Sequence, residues 1–240
     1  LRHTASSSDG AYSGTGMVYP VSDLPLSVYD NEGAMVLLSK ATGSVSEGGA
    51  TDTYTIRLTS QPTAGVDVTI TVPFGGGVAQ ATASPSSVSF TRFNWDIEQT
   101  VTLTAAADDI ADGEFTLAVA HSASSADTDY DAGALFRPSS SLSLSVHDDD
   151  AVGVQLSASG VSVVEGGSAQ QYTVVLLSEP TSAVDVDITV VGNASQVTLS
   201  PSTVSFTTGN WATPQTVTVT AVDDFEVEDV GAYSLRHTAS

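Results

Sequence analysis

Apolar and polar residues alternate with period two along most of the chain. Tyr54-Thr55-Ile56-Arg57-Leu58, Val184-Asp185-Val186-Asp187-Ile188-Thr189-Val190 and Thr216-Val217-Thr218-Val219-Thr220 each put every second side chain on one face. That pattern predicts strands that bury one face and wet the other. Gly48-Gly49, Gln61-Pro62, Gly75-Gly76-Gly77, Ser84-Pro85 and Glu179-Pro180 interrupt the alternation at turn positions. No stretch has a convincing helical period. Short strands with a turn every ~8–12 residues predict an antiparallel β-sandwich of immunoglobulin-like shape, with about seven or eight strands per unit.

The strands come in repeats. Leu1-Arg2-His3-Thr4-Ala5-Ser6 returns as Leu235-Arg236-His237-Thr238-Ala239-Ser240, 234 residues later. Inside that period Glu47-Gly48-Gly49 returns as Glu165-Gly166-Gly167, and Ser84-Pro85-Ser86-Ser87-Val88-Ser89-Phe90-Thr91 as Ser200-Pro201-Ser202-Thr203-Val204-Ser205-Phe206-Thr207. Asn94-Trp95 returns as Asn210-Trp211, Gln99-Thr100-Val101-Thr102 as Gln215-Thr216-Val217-Thr218, and Asp108-Asp109 as Asp223-Asp224. The spacing drifts only between 115 and 118 residues. The expected organisation is therefore all-β, as tandem sandwiches: one unit over residues 34–150 and a second over 151–240.

Residues 1–33 match the end of the first unit, pairing Tyr12 with Tyr130 and Leu26-Ser27-Val28-Tyr29-Asp30 with Leu144-Ser145-Val146-His147-Asp148. They read as the C-terminal strands of a preceding unit. The second unit is then expected to be completed by residues 1–33 of the next copy. Covalent continuity within a long tandem protein is the simpler arrangement, and strand donation between separate chains is the alternative. Either joins neighbouring copies head-to-tail, a contact that continues into an open filament when its rotation does not close.

Composition narrows the partners. With 41% hydrophobic and 14% charged residues, the chain is globular rather than disordered. Its net charge is −22, with Lys40 its single lysine, which speaks against nucleic acid and anionic lipid and in favour of cations. Zero cysteines exclude disulfides and thiolate metal sites. No apolar run approaches the ~18 residues of a membrane span, so no direct membrane insertion is expected.

The acid is concentrated. Sixteen of the 28 acidic residues fall in three places that recur in each unit. The first is Glu47, and Glu165 in the second unit. The second is Asp108, Asp109, Asp112 and Glu114, echoed by Asp223, Asp224, Glu226, Glu228 and Asp229. The third closes the unit: Asp148, Asp149 and Asp150, echoed by Asp30 with Glu32. All lie at strand ends, and alternate strand ends of a sandwich gather at one pole. Carboxylates crowded there repel unless neutralised, and calcium, which takes 6–8 oxygen ligands at flexible geometry, is the natural cation. The plainer reading is a set of acidic loops that keep a β-surface soluble; recurrence of the same three-part pattern favours the metal.

These motifs together resemble the Calx-β domain, the calcium-sensing repeat of sodium–calcium exchangers. The stretches Val197–Phe206, Asn210–Thr220 and Arg236–Ser240 are similar to Calx-β-like repeats of large secreted or surface-anchored proteins. The resemblance spans essentially the whole chain and implies a seven-stranded sandwich that binds calcium at one pole. Carried over by position, the implied ligands are Glu47, Asp108, Asp109, Asp112, Asp148, Asp149 and Asp150 in the first unit. In the second they are Glu165, Asp223, Asp224 and Glu228, with Asp30 from a neighbouring copy. Asp30-Asn31-Glu32 departs from the three aspartates of the first unit, and the Gly-Thr-Ala-x-x-Gly-x-Asp-Tyr segment typical of exchanger domains is absent.

Other constellations point away from catalysis. His3, His121 and His237 occupy one repeat position inside a strand, where a structural role is expected. His147 adjoins Asp148 and reads as a solvated loop residue. Trp95 and Trp211 follow Asn in a turn and read as packing anchors. No Gly-x-Ser-x-Gly elbow is present, and Gly75-Gly76-Gly77 lacks the lysine of a phosphate loop. Asn193-Ala194-Ser195 is the single sequon, a candidate for glycan attachment. The sequence thus predicts no enzyme. It predicts a structural repeat of an extracellular filament, appendage or sheath, with the stalk of a surface adhesin or a calcium-sensing module as alternatives.

Overall fold

The computed structural model describes residues 6–12, 24–29, 31–75, 77, 79–131, 134–225 and 233–240. The fold is all-β, in two sandwiches of immunoglobulin-like type. The first comprises β1 (Met35–Leu38), β2 (Thr42–Ser46), β3 (Asp52–Leu58), β4 (Val66–Thr71), β5 (Ala81–Ser84), β6 (Ser87–Phe90), β7 (Gln99–Ala105), β8 (Phe115–Ser125), β9 (Leu135–Arg137) and β10 (Ser141–His147). The second comprises β11 (Val154–Leu156), β12 (Gln170–Leu176), β13 (Val184–Val191), β14 (Val197–Ser200), β15 (Thr203–Phe206), β16 (Gln215–Ala221) and β17 (Ser234–Ala239). Helix among the described residues is confined to single 3₁₀ turns at Gly10–Tyr12 and Ala194–Gln196.

Alternation becomes burial. Val66, Val68 and Ile70 of β4 face inward while Asp67, Thr69 and Thr71 face out. β8 keeps the same rhythm over eleven residues. In the first sandwich the sheets run β5-β7-β3-β1-β9 and β2-β10-β8-β4-β6. Inward faces from both sheets, including Ile56, Leu103, Val68, Phe90, Val119 and Leu144, close a single core. Ten strands appear where about seven or eight were expected, because two edges are split. The chain leaves one sheet after β1 and enters the other at β2, and it crosses again between β5 and β6. The split also creates two parallel pairings, β1 with β9 and β2 with β10, in an otherwise antiparallel domain.

The second sandwich repeats this plan with fewer strands among the described residues. Its sheets are β11-β12-β16-β14 and β15-β13-β17. β17, the counterpart of β8, pairs with β13 on one side. Among the described residues nothing pairs with its other edge, where β10 pairs with β8 in the first sandwich. The counterpart of β2, residues 160–164, is not a strand. A strand in a parallel edge pair is held by its neighbour, and among the described residues none lies beside 160–164.

The tryptophan turns repeat faithfully. Asn94 Oδ1 accepts from the amide of Thr91 at 2.6 Å, and Asn210 Oδ1 from that of Thr207 at 2.6 Å. Trp95 and Trp211 pack half-buried against their respective cores. Their carbonyls accept from the amides of Leu58 (2.8 Å) and Leu176 (3.2 Å), tying each turn to the strand beside it.

Candidate metal centre

The parallel register of β2 and β10 builds the site. His147 lies opposite Ser46 at the ends of the two strands, so the next residues, Glu47 and Asp148, emerge side by side. The ladder runs one bond further, with the Glu47 amide donating to the His147 carbonyl at 2.9 Å. Glu47 then enters a tight turn closed by the Ser46 amide on the Ala50 carbonyl (3.1 Å). Gly48 takes a φ of +58° there, and a Cβ at that position would come within 2.9 Å of Asp149 Oδ2. The positive φ favours glycine here, while Asp149 could swing aside from a Cβ.

Glu47, Asp148, Asp149 and Asp150 each offer an oxygen within 4.8 Å of all the others. Glu47 is only 3% exposed, unusual for a carboxylate. Burial, followed by the like charges of Asp108, Asp148 and Asp112, raises its pKa, against a lowering contribution from the Asp108 amide. Asp150 is raised too, by burial first and then by Asp148, Asp149, Asp109 and Asp108. Its Oδ2 is buried without a partner. No ion pair among the described residues reaches these four side chains; Lys40 pairs with Asp52, and His147 with Glu114 at 3.0 Å.

Asp108, Asp109 and Asp112 stand around this group rather than in it. Asp108 Oδ1 accepts from the Ile110 amide (2.8 Å), and the Asp108 amide points at Glu47 Oε2 (3.5 Å). Asp112 Oδ2 accepts from Gln80 Nε2 at 3.0 Å, and its pKa is raised by burial and then by Asp108 and Asp148. Asp148 is steadied by the amide of Gly113 on Oδ2 at 2.6 Å, and its Oδ1 accepts from the Asp150 amide at 2.7 Å.

The second unit is less assembled. Glu165 is exposed, and among the described residues no counterpart of β10 lies beside it. Asp223 lies close to the Glu165 turn, its Oδ2 3.8 Å from where a Cβ of Gly166 would stand. Asp224 Oδ2 accepts from Gln196 Nε2 at 3.4 Å; Gln80, the counterpart of Gln196, donates instead to Asp112, whereas Asp224 matches Asp109 in the repeat. Asp30 and Glu228 lie outside the described residues. Asn193, the sequon residue, is exposed and caps the 3₁₀ turn by accepting from the Ser195 amide (3.3 Å).

Sequence reasoning missed the glutamines. Gln80 and Gln196 are buried, and both leave Oε1 without a partner. Their shared place four residues before Ser-Pro was the available signal. A lone Gln near a strand otherwise reads as solvent-facing.

The fold and the pole define the class: a tandem all-β sandwich with a four-carboxylate centre at one end of the first unit. No protein-family model and no curated protein matches the chain. Among solved structures it is similar to CBD12 from CALX1.2, at TM-score 0.37 and 14% identity over 77% of this chain and 75% of that one. It is also similar to the apo Calx CBD1 domain, at TM-score 0.35 and 12% identity over 48% of this chain and 99% of that one. A third is the chaperone–tip adhesin complex of archaic Csu pili from Acinetobacter baumannii, at TM-score 0.35 and 8% identity over 86% and 98%.

Proposed function

We propose that this chain is a structural repeat: a pair of calcium-rigidified sandwiches that joins further copies head-to-tail into an extracellular filament, appendage or sheath, without catalysis. The observation that supports it most is the double role of Asp148, Asp149 and Asp150. They are three of the four clustered carboxylates, and they are also the tether from β10 to β11. A cation that gathers them against Glu47 removes the freedom of the tether. Beside them, the Asp109 carbonyl accepts from the amide of Glu179 in the second sandwich at 2.6 Å, a contact that the same cation would steady.

The donors fit calcium. Oxygens bound to one calcium at about 2.3–2.6 Å lie no further than about 5 Å apart, the spread found here. The unpartnered Asp150 Oδ2 and the desolvated Glu47 both gain from a positive charge. Magnesium, which keeps its water and demands octahedral geometry, suits so carboxylate-rich a group less well. Bound calcium supplies charge neutralisation and crosslinking, while Glu47 anchors the site to the first core and Gly113 orients Asp148. Copying a unit is the economical route to length, which favours a fibre over a sensor.

The test is melting and small-angle scattering of the whole chain with calcium and with excess chelator, joined to electron microscopy of concentrated protein. Calcium should raise the melting temperature, narrow the range of interdomain angles and accompany filaments. A melt indifferent to chelator would overturn the calcium reading, and the absence of filaments the assembly reading.

A further inference from the structure

A groove runs along the second sandwich where the first holds β10. Its volume is about 760 Å³, and its walls include Val161, Val163, Tyr172, Val219, Leu235 and His237. In the first sandwich β10 lies antiparallel to β8 and parallel to β2, and Leu142, Leu144 and Val146 are essentially fully buried. The groove in the second sandwich is bounded by the counterparts of those same two neighbours, β17 and residues 160–164.

We infer that this groove is the receptor for residues 24–29 of a second copy of the chain, inserted in the place that β10 holds in the first sandwich. The inference deepens the head-to-tail reading and rests on it for the identity of the partner. Leu26 and Val28 correspond to the buried Leu144 and Val146, yet they are 67% and 84% exposed in their own chain. Transferred into the β2–β10 register, Leu26 falls beside Val161, Val28 beside Val163 and Tyr29 beside Val164.

The last pair is the most informative. In the first sandwich the equivalent pair is polar, His147 opposite Ser46. In the proposed pair both members are apolar, and both are left in water within a single chain: Tyr29 is 89% exposed and Val164 71%. One apolar replacement at a strand end would be unremarkable. Two, at positions that meet only if the strand is inserted, indicate that each is there for the other, since cross-strand pairs are matched in kind.

The approach to the groove is preformed as well. In the first sandwich the turn before Tyr130 is set by the Asp127 amide on Ser125 Oγ (2.9 Å) and the Asp129 amide on Asp127 Oδ1 (3.2 Å). The N-terminal segment makes the same turn, with the Asp9 amide on Ser7 Oγ (3.0 Å) and the Ala11 amide on Asp9 Oδ1 (3.0 Å). Tyr130 is buried and its hydroxyl donates to the Ser60 carbonyl at 2.9 Å; Tyr12, its counterpart, is 66% exposed. The position matching Ser60 in the second sandwich is Ser178, so one copy carries the turn and the other its seat. Pro25 sets a limit: it cannot donate the bond that the Ser143 amide gives Ala41, so pairing with residues 160–164 starts at Ser27.

The test uses the whole chain in calcium, by sedimentation velocity over rising concentration. Wild type should self-associate. Val28→Glu, on a residue already in water, should fold normally and weaken association at least ~10-fold, as expected for one buried valine. Val163→Glu in the groove should do the same, and an equimolar mixture of the two variants should stop at a dimer, because one intact groove meets one intact donor. As a second measurement, a synthetic peptide of residues 24–30 added to the V28E chain should slow amide exchange at residues 160–164 and 233–235, while the same peptide carrying V28E should not. Association unchanged by V28E, or a peptide that protects neither segment, overturns the inference. Filaments that form despite V28E would leave the filament reading standing and remove the strand slot. A peptide that protects the groove of a chain that never forms filaments would do the reverse.

Discussion

Tyr54 and His121 bridge the two sheets of the first sandwich from inside its core, Tyr54 Oη lying 2.7 Å from His121 Nε2 with the rings at 90°. His121 Nδ1 sits 3.2 Å from the Ser140 carbonyl, which can only accept, so Nδ1 carries the proton and Nε2 receives the phenol's hydrogen. Tyr172 and His237 repeat the bridge at 2.8 Å and 86°. The recurring histidine thus has a structural task in each sandwich: it satisfies the one polar atom that a buried tyrosine brings into an apolar core.

Tyr54→Phe leaves His121 Nε2 buried without a donor. Such an orphan costs about 1–3 kcal/mol. Tyr172→Phe should cost less, because His237 is only half-buried and water can replace the phenol. Denaturant melts of the two variants should rank in that order; equal losses would show that burial does not set the cost.

The same bridge predicts a pH dependence. Burial lowers the pKa of His121 below its ordinary 6.5, although the Ser140 carbonyl opposes the shift. Below pH 6.5 the unfolded chain therefore binds a proton that the folded core still refuses, and the contribution to stability falls as pH drops from 6.5 toward the folded value. Above pH 6.5 both states are neutral and the effect is flat. The ring resonances of His121 should remain those of the neutral imidazole as the pH falls through 6.5, and a His121 that protonates at or above 6.5 would contradict the geometry.

Much of this was legible in the chain, and the exceptions have physical causes. Alternation identified β3, β13 and β16 because each buries one face more deeply than the other. It said nothing about which edges meet, so the split between β1 and β2 and the parallel β2–β10 pair were invisible. That pairing decides the site. Glu47 and Asp148 are 101 residues apart and come together because their strands end in register. Asp108 and Asp112 were grouped with them by recurrence, strand-end position and resemblance; in the structure Asp108 Oδ1 accepts from Ile110 and Asp112 Oδ2 from Gln80. Glu165 copies Glu47 in sequence and not in burial, since burial is supplied by the neighbouring strand.

Glu47→Gln should separate charge from shape. In chelator the variant should melt higher than wild type, because it removes a desolvated charge that Asp108, Asp148 and Asp112 repel. In calcium the order should reverse, because a ligand charge is lost from the group. Differential scanning calorimetry with and without calcium reads both. A variant that melts lower in both conditions would assign Glu47 a purely structural role.

The two sandwiches should also unfold separately, the second first. Among the described residues the first core buries 21 apolar side chains and the second 9. With the groove open, Val163 and Leu235 are only half-buried, where their counterparts Val45 and Val119 are fully buried. Phe90 and Phe206 hold the same repeat position, and both are fully buried. Removing a buried phenylalanine costs about 3–5 kcal/mol within its own core. Phe206→Ala should therefore lower only the earlier calorimetric transition, and Phe90→Ala only the later one. A single transition in wild type whose calorimetric and van't Hoff enthalpies agree would mean that the Asp148–Asp150 tether and the Asp109–Glu179 bond couple the cores into one cooperative unit.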